Sequence, residues 1–453
     1  MASQSSSGTV RSVWSSRLAF ILVSAGAAVG LGNIWRFPYM AGENGGGVFV
    51  LTYILFLFAI GTPAMIAELM IGRRGQKNPV DTLETLAHES NESRNWKYLG
   101  WLGALTLVMV LSFYSVISGF AIGYLNYAIQ GTFNNASPDA ISALWVNLMN
   151  QPILLIGWHT IFMVLTMGVV ALGVNQGIEK SSRWMMPALF IILIVLVIYA
   201  AIIGNFKEAL GFLFSFKIQD FTPMAIVGAL GQSFFSLATG AGAILIYGSY
   251  LSKSTNMFST VFIIAILDLL VAILSGLAIF PIVFAHGLSP ADGPSLMFKV
   301  LPIAFSNMPG AQFVGICFFL LLIFAAWTSS ISMGEPLVSL IVEKTKIKRT
   351  QASIYVGLLA WGFGIISALS FSIWRGVEIF EWRLFEVLLG IPTNILLPIG
   401  ALLFCIFAGW VMKEKHVEEE LNCSSPALYF AWRFAIRYLC PLCILIILIT
   451  TLV

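Results

Sequence analysis

SAGAAVGLGN, Ser24 to Asn33, and SLATGAGA, Ser236 to Ala243, interrupt two long apolar stretches with closely spaced glycines. Each glycine weakens a helix by about 1 kcal/mol relative to alanine, so both stretches favour local unwinding. Unwound backbone at membrane depth is tolerated only where it is buried in protein or lines a cavity. Taken alone, the glycines suit small-residue contacts between helices equally well. What separates the two readings is where they fall in the chain.

Around these stretches the 453 residues are 58% hydrophobic and 10% charged, with a mean hydropathy of +0.91; soluble domains carry about 25% charged residues. A helix crosses a bilayer with roughly 20 apolar residues. Eleven such spans are expected: Leu18 to Met40, Val48 to Ile71, Leu99 to Ile129, Pro152 to Leu172, Trp184 to Ile203, Pro223 to Tyr250, Val261 to Ala285, Gly315 to Val342, Ile354 to Phe371, Phe385 to Met412 and Phe434 to Val453. The first is too long for a signal peptide and lacks an A-x-A site, so it reads as a span behind a short polar tail, Met1 to Ser16. No soluble domain is expected. With a cytoplasmic amino terminus, outer segments hold only Lys207, Lys217, Lys299, Arg375 and Arg383, Arg36 lies within the membrane, and the other 18 of 24 Lys and Arg are inside. The positive-inside rule supports that orientation, with the carboxyl terminus outside.

The broken spans are the first and the sixth, equivalent positions if a five-helix unit is used twice. The expected architecture is an all-α integral membrane protein of eleven helices, residues 1–453 as a single domain. Its 5+5 inverted repeat comprises about 17–203 and about 221–412, with an additional helix at about 427–453. Helices 1 and 6 are unwound, and paired breaks of this kind place a transporter's substrate and ions at the breaks.

Charges within spans are expensive and by default paired or functional. Asp268, in IAILDLLVAIL, is a candidate sodium ligand or a carboxylate paired with a distant arginine. Asn33 and Ser236 lie at the breaks, and Thr328, Ser329 and Ser330 lie in span eight; they offer neutral oxygens, or bond back to their own helix. Arg36 either snorkels or pairs with an acid to close the outer side. Glu68 and Glu335 read as structural pairs, and His159 and His286 receive no role. No disulfide is expected, since no outer loop holds cysteine. No G-x-S-x-G, H-E-x-x-H or phosphate-cradling loop is present, so an enzyme is not expected. The loops are too short for the nucleotide domain of an ATP-driven pump.

AVGLGNIWRFPYMAGENGGGVF, GQSFFSLATGAGA, GPSLMFKVLP and FAAWTSSIS together resemble the neurotransmitter:sodium symporter family over nearly the whole chain. The resemblance implies the fold of the bacterial leucine transporter and import of a neutral hydrophobic amino acid, aliphatic or aromatic, with sodium. It implies a first sodium site from the Ala28 carbonyl, Asn33, Ser236 and Asp268, and a second from the carbonyls of Gly26, Val29 and Ala325 with Thr328 and Ser329. Substrate contacts are implied for Ala28, Gly30, Gly32, Val110, Tyr114, Phe235, Ser236, Ala238, Ala241, Ser329 and Met333. Arg36 matches the outer gate; Arg11, Trp14 and Glu343 match the inner one. The implied partners are the amino acid, sodium ions and the lipid bilayer of a bacterial cell, with no nucleic acid.

The chain departs from the family in three respects. Asp268 stands where an amide is usual, Ala238 and Ala241 are smaller than their counterparts, and Leu389 stands in place of the acid that pairs with Arg36, which leaves Glu386 as the candidate partner. Gly30 argues against monoamines, whose carriers place a carboxylate there. Tyr53, Gln232 and Ser236 match three chloride ligands of chloride-dependent relatives, but the fourth position is Ala272, so chloride is expected not to be required. A carrier of another small zwitterion such as glycine, or a channel or receptor, is the alternative.

Overall fold

A computed structural model describes residues 12–217, 219, 221–289, 297–306, 308–379, 382–423 and 425–452. The first expected span is two helices, α1 (Arg17–Ala28) and α2 (Gly32–Glu43), bent by 52° at the break. Next come α3 (Gly47–Gly75), α4 (Pro79–Glu89), α5 (Lys97–Ile129), α6 (Pro152–Ala171) and α7 (Val174–Ile203). The sixth expected span is α8 (Pro223–Ser236) and α9 (Ala243–Ser249). It is followed by α10 (Met257–Ala285), α11 (Ala311–Thr345), α12 (Arg349–Ser370), α13 (Leu384–Val411) and α14 (Pro426–Thr450). Among the described residues nine helices are long and apolar enough to cross a membrane, or ten with α1 and α2 as one span. The expected count of eleven is not reached on that measure, because residues 237–242 divide the sixth span into two short pieces.

Polar side chains set where several helices begin. Ser16 Oγ accepts from the Ala19 N–H (3.1 Å), Thr222 Oγ1 from that of Ala225 (3.1 Å) and Asn256 Oδ1 from that of Ser259 (3.0 Å), each satisfying a donor that the first turn leaves free. Proline, whose missing N–H costs nothing there, opens α4, α6, α8 and α14.

Burial separates the central helices from the peripheral ones. The most apolar windows of α5 and α11 are 78% and 72% buried, whereas that of α7, the most apolar of all, is only 28% buried. The outward side chains of α7, among them Ile191, Ile194 and Ile198, are therefore those that suit lipid. Helices α5 and α11 pack on each other more extensively than any other pair. Between them they carry Tyr114 and Ser329.

The second break is built on left-handed backbone: φ is 52° at Ala238, 102° at Gly240 and 78° at Gly242. At Gly240 glycine is required twice over, since a Cβ there would strike the Leu397 carbonyl oxygen and the backbone conformation itself strains any other residue. The freed Gly240 N–H donates to Glu68 Oε1 from α3. Gly240→Ala should therefore lower the thermal unfolding midpoint in detergent by several degrees, given strain of about 1–3 kcal/mol. Gly157→Ala in α6, where a Cβ meets nothing within 4 Å, should leave it unchanged or slightly raised; equal midpoints for the two variants would contradict this account.

Candidate ion and substrate site

Asp268 is fully buried in α10. Its Oδ1 accepts from Asn33 Nδ2 (2.8 Å), and its Oδ2 accepts from the Tyr53 hydroxyl (3.0 Å) and from Ser236 Oγ. One carboxylate thus joins the first break, through Asn33, to the second, through Ser236, with α3 behind both. Every donor is neutral. Among the described residues no Lys or Arg nitrogen lies within 4.0 Å of it, so the alternative of a distant arginine partner does not hold. A buried carboxylate of this kind lacks a countercharge in a low-dielectric site.

The same cluster is rich in acceptors. Asn33 Nδ2 faces Ser236 Oγ (3.2 Å), the Asp268 carbonyl (3.0 Å) and Asp268 Oδ1, three acceptors for two hydrogens. The Asn33 oxygen, expected to face an ion, is turned instead to the Gly30 N–H at 3.4 Å, because the nitrogen finds those acceptors on the other side. Oxygen and nitrogen exchange places by a half-turn of the amide.

A second convergence lies where α1 meets α11. Ser329 Oγ is 3.3 Å from each of the carbonyls of Gly26, Ala27 and Val29, so a single hydroxyl hydrogen is shared among three acceptors. Thr328 bonds back to its own helix, donating towards the carbonyls of Phe324 and Ala325 (3.0 Å each). It also packs against Gly26, where a Cβ would lie 3.1 Å from its own. Gly26, Val29, Ala325, Thr328 and Ser329 are thus brought together, and oxygens gathered without nitrogen or sulfur ligands suit a hard cation. Ala28 is the last residue of α1, where carbonyls lack intrahelical partners.

Between the breaks and the Arg36 end lies a cavity of about 610 Å³. Tyr114 lines it, and its hydroxyl accepts from the Leu31 N–H released at the first break (3.1 Å). Beside it a Cβ at Gly30 would lie 2.6 Å from Ser329 Oγ and 2.8 Å from the Tyr114 hydroxyl, so a side chain there would require both to shift. Gly32 packs under Phe235, which lines the cavity. The rim is largely aromatic, with Trp35, Tyr39, Phe113, Phe120 and Phe385. These were not singled out from sequence, although Phe113, Ile117 and Phe120 follow the helical i, i+4, i+7 spacing of a single face. Val110, Ala238, Ala241 and Met333, expected around the substrate side chain, are not in its lining, and Thr239 is.

The gates divide in the same way. Arg36 lies over the Phe235 ring, 4.7 Å from its centroid, a cation–π contact. Glu386 does not pair with it: its Oε2 accepts from the Arg383 N–H (2.9 Å) and caps the start of α13. Leu389 lines the cavity near Arg36. At the other end Trp14 is buried, donates from Nε1 to the Tyr247 carbonyl (3.0 Å) and packs edge-on against Tyr247 and Tyr250. Glu343 Oε2 accepts from Asn78 N–H and Nδ2 (2.8 and 2.9 Å). Arg11 lies outside the described residues. Glu335 pairs with Arg349 and accepts from the Tyr250 hydroxyl (2.7 Å).

Comparison with known proteins matches the model of the sodium:neurotransmitter symporter family over residues 11–142 and 152–453. The chain is 37% identical over 437 residues to the sodium-dependent transporter YhdH of Bacillus subtilis, covering 96% of each chain. It is 34% identical to a sodium-dependent transporter of Haemophilus influenzae, covering 98% of each. The crystal structure of MhsT in complex with L-phenylalanine superposes with a TM-score of 0.89 at 38% identity, covering 97% of this chain and all of that one. This likeness gives the chain the helical transporter fold expected from its two broken spans. The chain belongs to the sodium:neurotransmitter symporter family, and is therefore a multi-pass membrane transporter that couples symport to sodium, not an enzyme.

Proposed function

We propose that this transporter imports neutral hydrophobic L-amino acids, aliphatic and aromatic, with two sodium ions, by alternating access and without chloride. The observation that carries the proposal is the cavity itself: about 610 Å³, walled by aromatic rings and ending at Tyr114 and at Leu31 of the first break. The amino acid's apolar side chain would lie among Phe113, Ile117, Phe120 and Phe235. Its carboxylate would take the Tyr114 hydroxyl and a sodium ion at the Asp268 cluster, and its ammonium group the released carbonyls, since Gly30 offers no carboxylate. That MhsT holds L-phenylalanine supports the aromatic part of the range. Glycine, the competing zwitterion, would leave most of this volume to water. The excess of basic residues in the segments that include Arg73, Lys344 and Lys413 supports a cytoplasmic amino terminus in a bacterial cell membrane.

In proteoliposomes with an imposed sodium gradient, leucine uptake should be competed by Trp and Phe and not by glycine. Failure of both aromatic amino acids to compete would overturn the substrate assignment, and flux beyond any fixed ratio to sodium would indicate a channel.

The proposed first sodium site comprises the Ala28 carbonyl, Asn33, Ser236 and Asp268; the second comprises Gly26, Val29, Ala325, Thr328 and Ser329. Asn33→Ala should raise the sodium concentration for half-maximal uptake about tenfold, the effect of losing one ligand to a charged group. An unchanged sodium dependence would remove Asn33 from the site.

Chloride independence follows from what Asp268 touches. Tyr53 and Ser236, two of the three residues that match chloride ligands, donate to its carboxylate instead, so a fixed negative charge stands where a mobile anion would otherwise balance sodium. Replacing chloride by gluconate should leave wild-type uptake intact, whereas Asp268→Asn should become chloride-dependent. Collapse of wild-type uptake without chloride would refute this.

A further inference from the structure

We propose that the first half of α14 holds the phosphate of an anionic phospholipid, at a site made by Tyr429, Arg433 and Arg437. The three recur at intervals of four residues and share a helix face. Arg433 is only 5% exposed. Its Nη1 donates to the Ala408 carbonyl (3.0 Å), and Arg437 Nε donates to the Gly409 carbonyl (2.8 Å), two bonds that cap the end of α13. This capping role uses one nitrogen of each arginine. Arg433 Nε and Nη2 and the Tyr429 hydroxyl remain buried without a partner.

Charge makes the remainder expensive. Among the described residues no carboxylate oxygen lies within 4.0 Å of either guanidinium. Glu414 and Glu418, on the short helix Glu414–Leu421, act on Arg433 only from beyond that distance. Like charges one helical turn apart repel, and a buried guanidinium with two unsatisfied nitrogens carries a large desolvation penalty. An anion with several acceptor oxygens would offset both, and phosphate matches the planar fork of arginine.

The surroundings identify the membrane as the source. The Arg437 guanidinium lies over the Trp410 ring, 5.1 Å from its centroid. Trp410 at the end of α13 and Phe434 and Tyr438 on α14 are each about half exposed, as suits side chains at a lipid interface. By the positive-inside assignment this end of α14 is in the cytoplasmic leaflet, where anionic headgroups attract paired basic residues. On its other side α14 is bonded to α3, through Trp432 Nε1 to the Pro63 carbonyl (3.1 Å). A lipid held here would therefore brace the helix that carries Tyr53 and Glu68.

The test compares phosphatidylglycerol, phosphatidylcholine and inorganic phosphate, each added to the purified full-length protein in detergent, with thermal unfolding and native mass spectrometry as readouts. Phosphatidylglycerol should raise the unfolding midpoint by several degrees and remain bound, whereas the other two should do neither. Arg437→Gln, at a partly exposed position, should hold phosphatidylglycerol about tenfold more weakly, and Arg433→Gln should abolish the lipid-specific shift. Equal effects of the two phospholipids, or variants that retain the lipid like wild type, would overturn the site. A shift reproduced by inorganic phosphate would overturn the assignment to lipid. Loss of stability in Glu414→Gln and Glu418→Gln, with phosphatidylglycerol inert, would identify those acids as the true partners.

Discussion

Backbone groups released inside a membrane must find partners within the protein, and the site is assembled from the side chains that supply them. At the first break Ser329 answers the carbonyls of Gly26, Ala27 and Val29, and Tyr114 answers the Leu31 N–H. At the second, Glu68 answers the Gly240 N–H. Each partner comes from another helix, α11, α5 or α3, so closing the hydrogen-bond account of the breaks also fixes the core of the bundle. The groups left in excess are oxygens: three carbonyls share one hydroxyl hydrogen, and one carboxylate has only neutral donors. A fold that must unwind two helices at mid-membrane thereby creates a place suited to a cation.

Asp268 binds these two halves. Without it, Asn33, Tyr53 and Ser236 would be three neutral polar groups on three elements; with it, they share one carboxylate. Ala272, one turn further along α10, is fully buried and adds no polar atom. The negative charge of this cluster thus resides on Asp268, shared between Asn33 on one oxygen and Tyr53 and Ser236 on the other.

The features legible in the sequence were those set by local chemistry. Glycines marked both breaks, a lone carboxylate in an apolar run marked Asp268, and the TSS run placed Ser329. Features that depend on how distant helices meet were not legible. Glu386 looked available to Arg36, but it lies three residues into a helix and its own N-cap backbone claims it first. Ala238 and Ala241 were implied as pocket residues by the family resemblance. The left-handed turns at Ala238, Gly240 and Gly242 change which side chains face inward, and Thr239 lines the cavity instead. The aromatic rim joins residues from Trp35 to Phe385, a proximity that no local pattern encodes. A count of eleven spans was expected because hydropathy averages over the break in the sixth, which geometry does not.

The first break also explains how ion and substrate could act on each other without a long-range relay. Gly30, Leu31 and Asn33 lie within four residues, and each is held from a different direction: Gly30 against Ser329 and Tyr114, Leu31 by the Tyr114 hydroxyl, Asn33 by Asp268. A substrate carboxylate that accepts from the Tyr114 hydroxyl polarises the oxygen that holds the Leu31 N–H, and a cation beside Asp268 requires the Asn33 amide to turn its oxygen inward, away from the Gly30 N–H. Both events alter the same few backbone groups. Whatever free energy one ligand spends in arranging them is saved by the other, and thermodynamic linkage makes that benefit reciprocal. On the proposed reading, coupling in this transporter resides in the backbone between α1 and α2.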